Sequence, residues 1–291
     1  MAAEPQIVRR IAQPGPAGPE RIQWVESHGL RFDMQLQPGL TLLESVRRSF
    51  AAAGFTSGVV RVEGLALSPF AYVMPALSKT PEHAAFYSDI FRPAGIARVE
   101  TGTMTFGVRD GAPFFHCHAL WTEASGKRSG GHILPDETTV AEAITLPAVG
   151  LDGAGFAANP DPETNFKLFG PVRAELLGAT REGRFFAVRV LPNIDLATAL
   201  EQFCRERGVV RATIHGGVGS TIGARFDDGR VVENFATEVA IEAGHVVIEV
   251  GEAKSEIDVA LVDYTGAMAQ GRLQRGDNPV LMTFELVLEA G

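Results

Sequence analysis

The sequence has no long hydrophobic run. Hydrophobic residues make up 45% of the 291 positions, but Gly, Pro and charged residues interrupt every apolar stretch. None approaches the roughly 18 consecutive apolar residues that a membrane-spanning helix requires. The first 22 residues also lack the apolar centre of a signal peptide. We therefore expect a protein that stays in the cytoplasm and does not enter a membrane.

Cysteine and basic residues are scarce as well. Cys117 and Cys204 are the only cysteines and form no C-x-x-C pair, which favours a reduced compartment over a disulfide-bonded protein. The net charge is −9, and neither a run of three basic residues nor an Arg-Gly-Arg-Pro segment occurs. Nucleic-acid-binding domains usually present a basic surface, so this composition disfavours nucleic acid as a partner.

The sequence contains an internal repeat. Residues 30–64 resemble residues 185–217: each segment has an alternating strand, a proline turn, an apolar helical stripe and a second strand. Residues 150–166, rich in Gly, Pro and Asp, have the composition of a linker. We predict an α+β protein with a 1–29 arm and two homologous domains, at 30–150 and 166–291. Each domain is expected to be a mainly antiparallel sheet flanked by one main helix.

Three of the seven histidines lie within seventeen residues of the first predicted domain. Asp110-Gly111 is a strong hairpin signal, so the segment that follows is predicted to be a strand. His116 and His118 then project from the same face, with Cα atoms about 6–7 Å apart, while Cys117 points to the other face. His132 follows a second turn, which brings it back beside the pair.

Three imidazoles without an evident fourth protein ligand describe an open metal site. Zinc is the default ion for such a set, although nickel, manganese or iron also accept imidazole. The alternative interpretation is that the three are half-buried polar residues of a sheet. The repeat favours the metal, because aligning the two copies with one residue deleted places Ile257, Val259 and Arg272 opposite the histidines.

The segment "GAPFFHCHALW…GKRSGGHI" resembles the plant and prokaryote conserved (PPC) domain, whose members carry a His-x-His strand and a Gly-Gly-His turn. The resemblance covers about 30–150 and 166–290. It implies an antiparallel sheet with flanking helices, a homotrimer, and zinc held by His116, His118 and His132. Plant relatives couple the domain to DNA-binding hooks that this chain lacks. A more distant similarity connects the site to acetolactate decarboxylase, a two-domain enzyme with a three-histidine zinc ion.

A small hydroxy- or oxo-carboxylic acid suits an open zinc site, because such a substrate can offer oxygen atoms to the ion. Its carboxylate needs a cation, and proton transfer needs a donor or acceptor. The candidate catalytic residues are Arg98, Glu100 and Tyr87, and the candidate substrate-binding residues are Arg92, Arg128, Thr103 and Thr105. For each arginine, a solvated surface charge is the alternative. The hairpin register predicts Thr103 and Thr105 opposite His118 and His116.

Residues 78–91 interrupt the first copy and have only a weak counterpart in the second, so they are predicted to form a lid or a subunit-contact helix. The sequence favours a metal-dependent lyase or isomerase. Two alternatives remain open: a non-catalytic metal- or ligand-binding module, and a DNA-associated regulator.

Overall fold

A computed structural model describes residues 9–176 and 183–291. Within these ranges the α-helices are α1 (Leu42–Ala52) and α2 (Leu196–Glu206). The strands are β1 (Ile22–Leu36), β2 (Gly58–Val62), β3 (Ala66–Leu67), β4 (Tyr72–Val73), β5 (Pro75–Leu77), β6 (Ala85–Tyr87), β7 (Ala97–Arg109), β8 (Ala112–Thr122), β9 (Arg128–Ile133), β10 (Ile144–Asp152), β11 (Ala154–Pro160), β12 (Lys167–Arg173), β13 (Arg184–Val190), β14 (Arg211–Arg225), β15 (Val231–Glu249), β16 (Glu252–Asp263), β17 (Met268–Arg272) and β18 (Val280–Ala290). No helix in the described ranges is long and apolar enough to cross a membrane.

Sixteen of these strands form one sheet, whose main path is β17-β16-β15-β14-β18-β13-β1-β10-β2-β7-β8-β9-β4. The pairing is antiparallel except between β11 and β7. This mostly antiparallel sheet with two helices confirms the predicted α+β class. The division into two homologous domains stays a prediction.

Strand β1 joins two wings of the sheet. Its residues Ile22–Ser27 pair with β13, and its residues His28–Leu36 pair with β10. We define the first wing as β10, β2, β7, β8, β9 and β4, and the second wing as β13, β18, β14, β15, β16 and β17. The pairing with β13 starts at residue 22, so an arm ending at residue 29 is wrong: its last eight residues belong to the sheet.

The two helices begin and end in the same way. Thr41 and Asp195 each accept a hydrogen bond from a backbone N–H of the first turn, at 3.2 and 2.8 Å. Gly54 and Gly208 follow the last turns with φ of +76° and +66°, a conformation that favours glycine. The apolar stripe of each helix covers the outer face of one wing, and each combination has its own buried core.

The inner faces of the wings pack against each other. Thr103 Oγ1 on β7 donates to the Ile241 carbonyl on β15 at 2.7 Å. Leu120 on β8 is buried against Ala260 and Val262 on β16. The strands at this contact therefore have both faces covered, and the polar side chains at its centre, such as Thr103, are buried.

Residues 150–166 are not a linker. They contain the end of β10, all of β11 and the turn before β12, and β11 pairs with both β12 and β7. Gly153 and Asn165 have positive φ, so the Gly, Pro and Asp residues serve tight turns of a β-hairpin.

Residues 78–91 form no helix. Strand β6 within them pairs with β5, Pro75 opposite Tyr87 and Leu77 opposite Ala85. The resulting hairpin places Tyr87 against the histidine cluster, with its ring centroid 5.5 Å from that of His132. The segment therefore covers the site, as expected of a lid, although no movement of it is observed.

Candidate metal centre

The hairpin predicted at Asp110-Gly111 places the first two histidines. Both turn residues have positive φ, and β7 pairs with β8 so that Thr105 lies opposite His116 and Thr103 opposite His118. This is the predicted register. Because directly opposed residues share a face, both threonines lie on the face that carries the histidines.

Strand β9 adds the third histidine. His132 lies opposite His118, near the end of β9 rather than at its start. One nitrogen from each imidazole lies within 4.8 Å of the others, so the three could hold a metal ion. His118 and His132 are buried and His116 is partly buried. Cys117 lies in the core on the opposite face, which excludes it as a ligand.

The second wing orients two of these imidazoles. His116 Nδ1 contacts the Glu285 carboxylate on β18, and His118 Nδ1 lies 3.2 Å from the Val239 carbonyl on β15. Both partners accept hydrogen bonds, so both Nδ1 atoms carry a proton, and in the neutral form of each imidazole the Nε2 atom then carries a lone pair. A histidine whose other nitrogen donates to a carboxylate or carbonyl is the usual arrangement around a metal.

The two Nε2 atoms face each other at 3.0 Å. Two nitrogens at this distance need a positive centre between them, either a shared proton or a metal ion. His132 Nδ1 is buried and has no hydrogen-bond partner among the described residues. The donor set therefore fits a metal ion better than it fits a closed network of protein hydrogen bonds.

Burial keeps two of the three imidazoles neutral. The pKa of His118 lies well below its ordinary value because of burial and, to a smaller extent, because of the neighbouring His116 and His132. The pKa of His132 is also lowered well below its ordinary value, mainly by burial, with smaller contributions from the neighbouring His116 and Arg109. Neutral imidazole is the form that binds metal, so His118 and His132 are in the metal-binding form at neutral pH.

A second buried glutamate faces the cluster. Glu238 Oε1 on β15 lies 3.9 Å from His118 Nε2, and its Oε2 has no hydrogen-bond partner among the described residues. Burial raises the pKa of Glu238 well above its ordinary value. Burial of this carboxyl group beside the metal ligands therefore lowers the stability of the metal-free protein.

We expect Glu238→Gln to raise the melting temperature of the metal-free protein, by a margin that grows with pH. The unfolded chain releases the Glu238 proton above about pH 4.5, while the folded protein retains it because its pKa is raised. Between these two pKa values, wild-type stability falls by about 1.4 kcal/mol per pH unit, and the amide avoids this loss. Thermal unfolding in EDTA at pH 5 and pH 7.5 measures the margin. Glu233→Gln, an exposed carboxylate on the same strand, is the control. An equal margin at both pH values would contradict the assignment.

Two cavities meet at the histidines. The inner cavity, about 60 Å³, lies between the wings and is lined by His116, His118, Glu238 and Thr237. The outer cavity, about 320 Å³, is lined by His116 and His132 and is otherwise mainly apolar. Tyr87 and Leu168 border both. A small molecule in the outer cavity would therefore contact His116 and His132.

Three of the predicted site residues besides the histidines lie at the cluster: Tyr87, Thr103 and Thr105. Thr105 Oγ1 is buried and has no hydrogen-bond partner among the described residues. The Thr103 hydroxyl donates its hydrogen bond to the Ile241 carbonyl of the other wing. Tyr87 is 39% exposed as a residue, but the groups packed around its hydroxyl desolvate it and raise its pKa, and the charges of Glu238 and Glu285 raise it further.

The structure does not bring the other four predicted residues to the cluster. Arg98 pairs with Glu142 at 2.6 Å, and Arg128 pairs with Glu100 at 2.6 Å, both on the surface. Arg92 pairs with Glu137. Each arginine pairs instead with a carboxylate on a strand or loop that is its neighbour in space. None of the four lines either cavity.

The sequence analysis missed three charged residues at the site: Glu238, Glu285 and Arg109. The two glutamates stand in "FATEVAI" and "MTFELVL", where a single charge interrupts an apolar strand. Buried charges of this kind are rare unless they are paired or functional, so the pattern was an available signal. Arg109 precedes the hairpin turn and lines the outer cavity.

The second half of the chain carries an ion-paired cluster where the first carries the histidines. Gly131 pairs with Ala119 and has φ of +152°, while Gly271 pairs with Val259 and has φ of +155°. The turn residues also correspond at a constant separation of 140 positions, without the deletion expected from the sequence. The residues that correspond to His116, His118 and His132 are therefore Glu256, Asp258 and Arg272, and Arg272 forms ion pairs with both carboxylates.

A domain family matches part of the chain. Residues 178–290 match the model of the Plants and Prokaryotes Conserved (PCC) domain. This segment is less than half of the chain and lies in the half without the three histidines. The same relationship for the first half stays a prediction. A search of curated proteins gave no match.

Several solved structures resemble about half of the chain. A plant- and prokaryote-conserved protein from Pyrococcus horikoshii is 16% identical, covering 52% of this chain and 97% of its own, with a TM-score of 0.41. A metal-containing protein from Archaeoglobus fulgidus is 18% identical, covering 50% and 97%, with a TM-score of 0.40. A proposed DNA-binding protein from Ralstonia eutropha is 18% identical, covering 47% and 89%, with a TM-score of 0.34.

Proposed function

We propose that this chain is a metal-dependent enzyme of the lyase or isomerase type, acting on a small hydroxy- or oxo-carboxylic acid. One observation carries the proposal. His116 and His118 point their Nε2 atoms at each other from 3.0 Å, while Glu285 and Val239 hold their opposite nitrogens and His132 lies close enough to complete a three-nitrogen set. A metal ion can be held by these nitrogens, and a cavity large enough for a small acid opens beside them.

Zinc is the proposed ion, held by His116, His118 and His132; nickel, manganese and iron are the alternatives. When bound, it would supply a Lewis acid that polarises a carbonyl or hydroxyl oxygen of the substrate. The chain supplies the rest. Tyr87 keeps its proton because its pKa is raised, so its hydroxyl can donate to a substrate oxygen. Thr105 Oγ1 lies opposite His116 without a hydrogen-bond partner among the described residues, but Thr105 lines neither cavity.

The experiment is a substrate screen of zinc-loaded protein against a panel of hydroxy- and oxo-acids. Acetolactate is a sensible first member, because a three-histidine zinc enzyme decarboxylates it. Proton NMR detects both decarboxylation and isomerisation. We expect turnover of at least one acid, and its loss by a factor of about 10³ or more in the His116→Ala/His118→Ala variant. Turnover that survives in the double variant would contradict the proposal.

A non-catalytic metal-binding module is the second candidate. The ligands come from the first wing and their orienting partners from the second, so a bound ion couples the two wings. Coupling of two parts of the fold by a bound ion is a property expected of a metal-sensing protein. Metal-dependent protection of β15 and β18 from hydrogen exchange, without turnover of any acid, would favour this function.

Two expectations about partners remain predictions. The trimer implied by the family resemblance is tested by light scattering on the full chain. The absence of a nucleic-acid partner is tested by retention on immobilised DNA at low and high salt. Salt-sensitive retention would favour a DNA-associated regulator.

A further inference from the structure

The outer cavity contains a cation that the metal centre does not use. His116 and His132 form one end of this cavity, and Arg109 lies in its lining as well. The walls between them are largely apolar, contributed by Val73, Ile90, Phe114, Leu134, Ala158 and Phe169. The cavity thus joins a donor set for a metal, an apolar chamber and a guanidinium group.

Strand geometry places Arg109 on the same face as the histidines. Residues two apart along β7 share a face, so Thr105, Gly107 and Arg109 form one row. Thr105 lies opposite His116, and Arg109 lies about 13 Å further along the strand. Gly107, between them, has no side chain, and a Cβ atom there would lie 2.2 Å from the Phe156 carbonyl oxygen of β11, so the glycine allows β11 to pack closely against β7. Phe114 on β8 lies under the Arg109 guanidinium, 5.1 Å from the ring centroid.

Arg109 is not committed to a protein carboxylate. Its nearest acidic partner is the adjacent Asp110, with 4.0 Å between Nε and Oδ2, and Asp110 is already paired with Lys167 at 2.6 Å. By contrast, Arg92, Arg98 and Arg128 each contact a carboxylate through hydrogen-bond geometry. Lys167 also lines the outer cavity, but it is occupied by Asp110. Of the lining cations among the described residues, Arg109 is therefore the one that is free to receive an outside anion.

We infer that Arg109 binds the carboxylate of the ligand, whose apolar body fills the outer cavity and whose oxygen-bearing end reaches the histidines. The inference rests on the proposed function and restricts the class of acid that the site would bind. The distance between the two ends selects acids in which an apolar spacer separates the carboxylate from the oxo or hydroxy group. Asp136 and Glu137 at the same cavity disfavour a more highly charged anion such as phosphate.

The test is isothermal titration of zinc-loaded protein with 4-acetylbenzoate, whose ring separates the carboxylate from the oxo group, and with its primary amide, which has nearly the same shape and no charge. The wild type is expected to bind the acid at least 10-fold more tightly than the amide. Arg109→Gln is expected to weaken acid binding by about 10- to 100-fold and to remove the preference, because a charge-assisted hydrogen bond is lost. Arg109→Lys should restore part of it.

Arg98→Gln is the matched control, since Arg98 is an exposed arginine on the same strand with a partner of its own. The Arg98→Gln variant should bind the acid with an affinity within twofold of that of the wild type. Equal binding of acid and amide by the wild type, no binding of either, or equal effects of the two glutamine variants would each overturn the inference.

The His116→Ala/His118→Ala variant separates this inference from the proposed function. If both hold, the variant binds both probes more weakly but still prefers the acid. If Arg109→Gln weakens acid binding while the double variant binds like the wild type, the carboxylate subsite stands and the metal-dependent function fails. If the double variant weakens binding and Arg109→Gln does not, the metal site stands and the subsite fails.

Discussion

Replacing Glu285 by glutamine is expected to weaken metal binding by about 10- to 100-fold, the usual cost of losing an outer carboxylate that orients a histidine ligand. Glu285 is fully buried between the wings and accepts from His116 Nδ1. Its negative charge makes the imidazole a better donor to a cation and fixes which nitrogen carries the proton. The amide retains the shape and loses the charge.

Competition with a chromophoric zinc chelator measures this change, and Glu289→Gln is the matched control. Glu289 lies on the same strand and also contacts an imidazole, that of His215, but it is remote from the three histidines along β18. Its replacement should leave zinc affinity within about twofold. Equal affinities of the Glu285 and Glu289 variants would contradict the orienting role.

Gly131→Ala is expected to destabilise the protein by about 3 kcal/mol or more and to weaken metal binding. Gly131 has φ of +152°, and a Cβ atom there would lie 2.3 Å from the Val73 carbonyl oxygen. The backbone strain alone costs about 1–3 kcal/mol, and relieving the clash must move β4, which pairs with His132. The predicted fall in melting temperature is roughly 6–12 °C.

The Gly126→Ala variant distinguishes the energetic cost of backbone strain from the cost of the steric clash expected in Gly131→Ala. Gly126 also has positive φ, at +84°, but nothing lies within 4 Å of the position of an added Cβ. This variant should cost only about 1–2 kcal/mol and leave zinc affinity unchanged. If Gly131→Ala unfolds at the same temperature as Gly126→Ala, the close approach of β4 does not matter for stability.

The three histidines were predictable because their geometry is local. A two-residue hairpin turn fixes the register of β7 and β8, and period two then fixes which side chains share a face. One further turn returns His132 to the same face. The helices were predictable for similar reasons, since apolar spacing, a capping side chain and a following glycine all lie within about a dozen residues.

The groups around the histidines were not predictable in this way. Glu238 and Glu285 reach the site because the wings pack face to face, and no short-range pattern specifies that contact. The pairing of Arg98 with Glu142 also spans more than 40 residues. A candidate arginine is thus removed from the site by a partner that the sequence does not reveal.

The strand pairing changes the predicted correspondence between the two halves. A one-residue shift along a strand exchanges the inner and outer faces, so the sequence alignment placed the core residues Ile257 and Val259 opposite His116 and His118. The strand pairing places Glu256 and Asp258 there, with Arg272 opposite His132. The corresponding strands of the second half thus carry an ion-paired cluster at these positions.

Metal content tests the central claim most directly. Elemental mass spectrometry on the untagged wild type, offered zinc and then desalted, should give about one ion per chain. The His116→Ala/His118→Ala variant, treated identically and shown by circular dichroism to be folded, should give none. A well-folded wild type that retains no metal, or a double variant that retains as much as the wild type, would contradict the three-histidine centre.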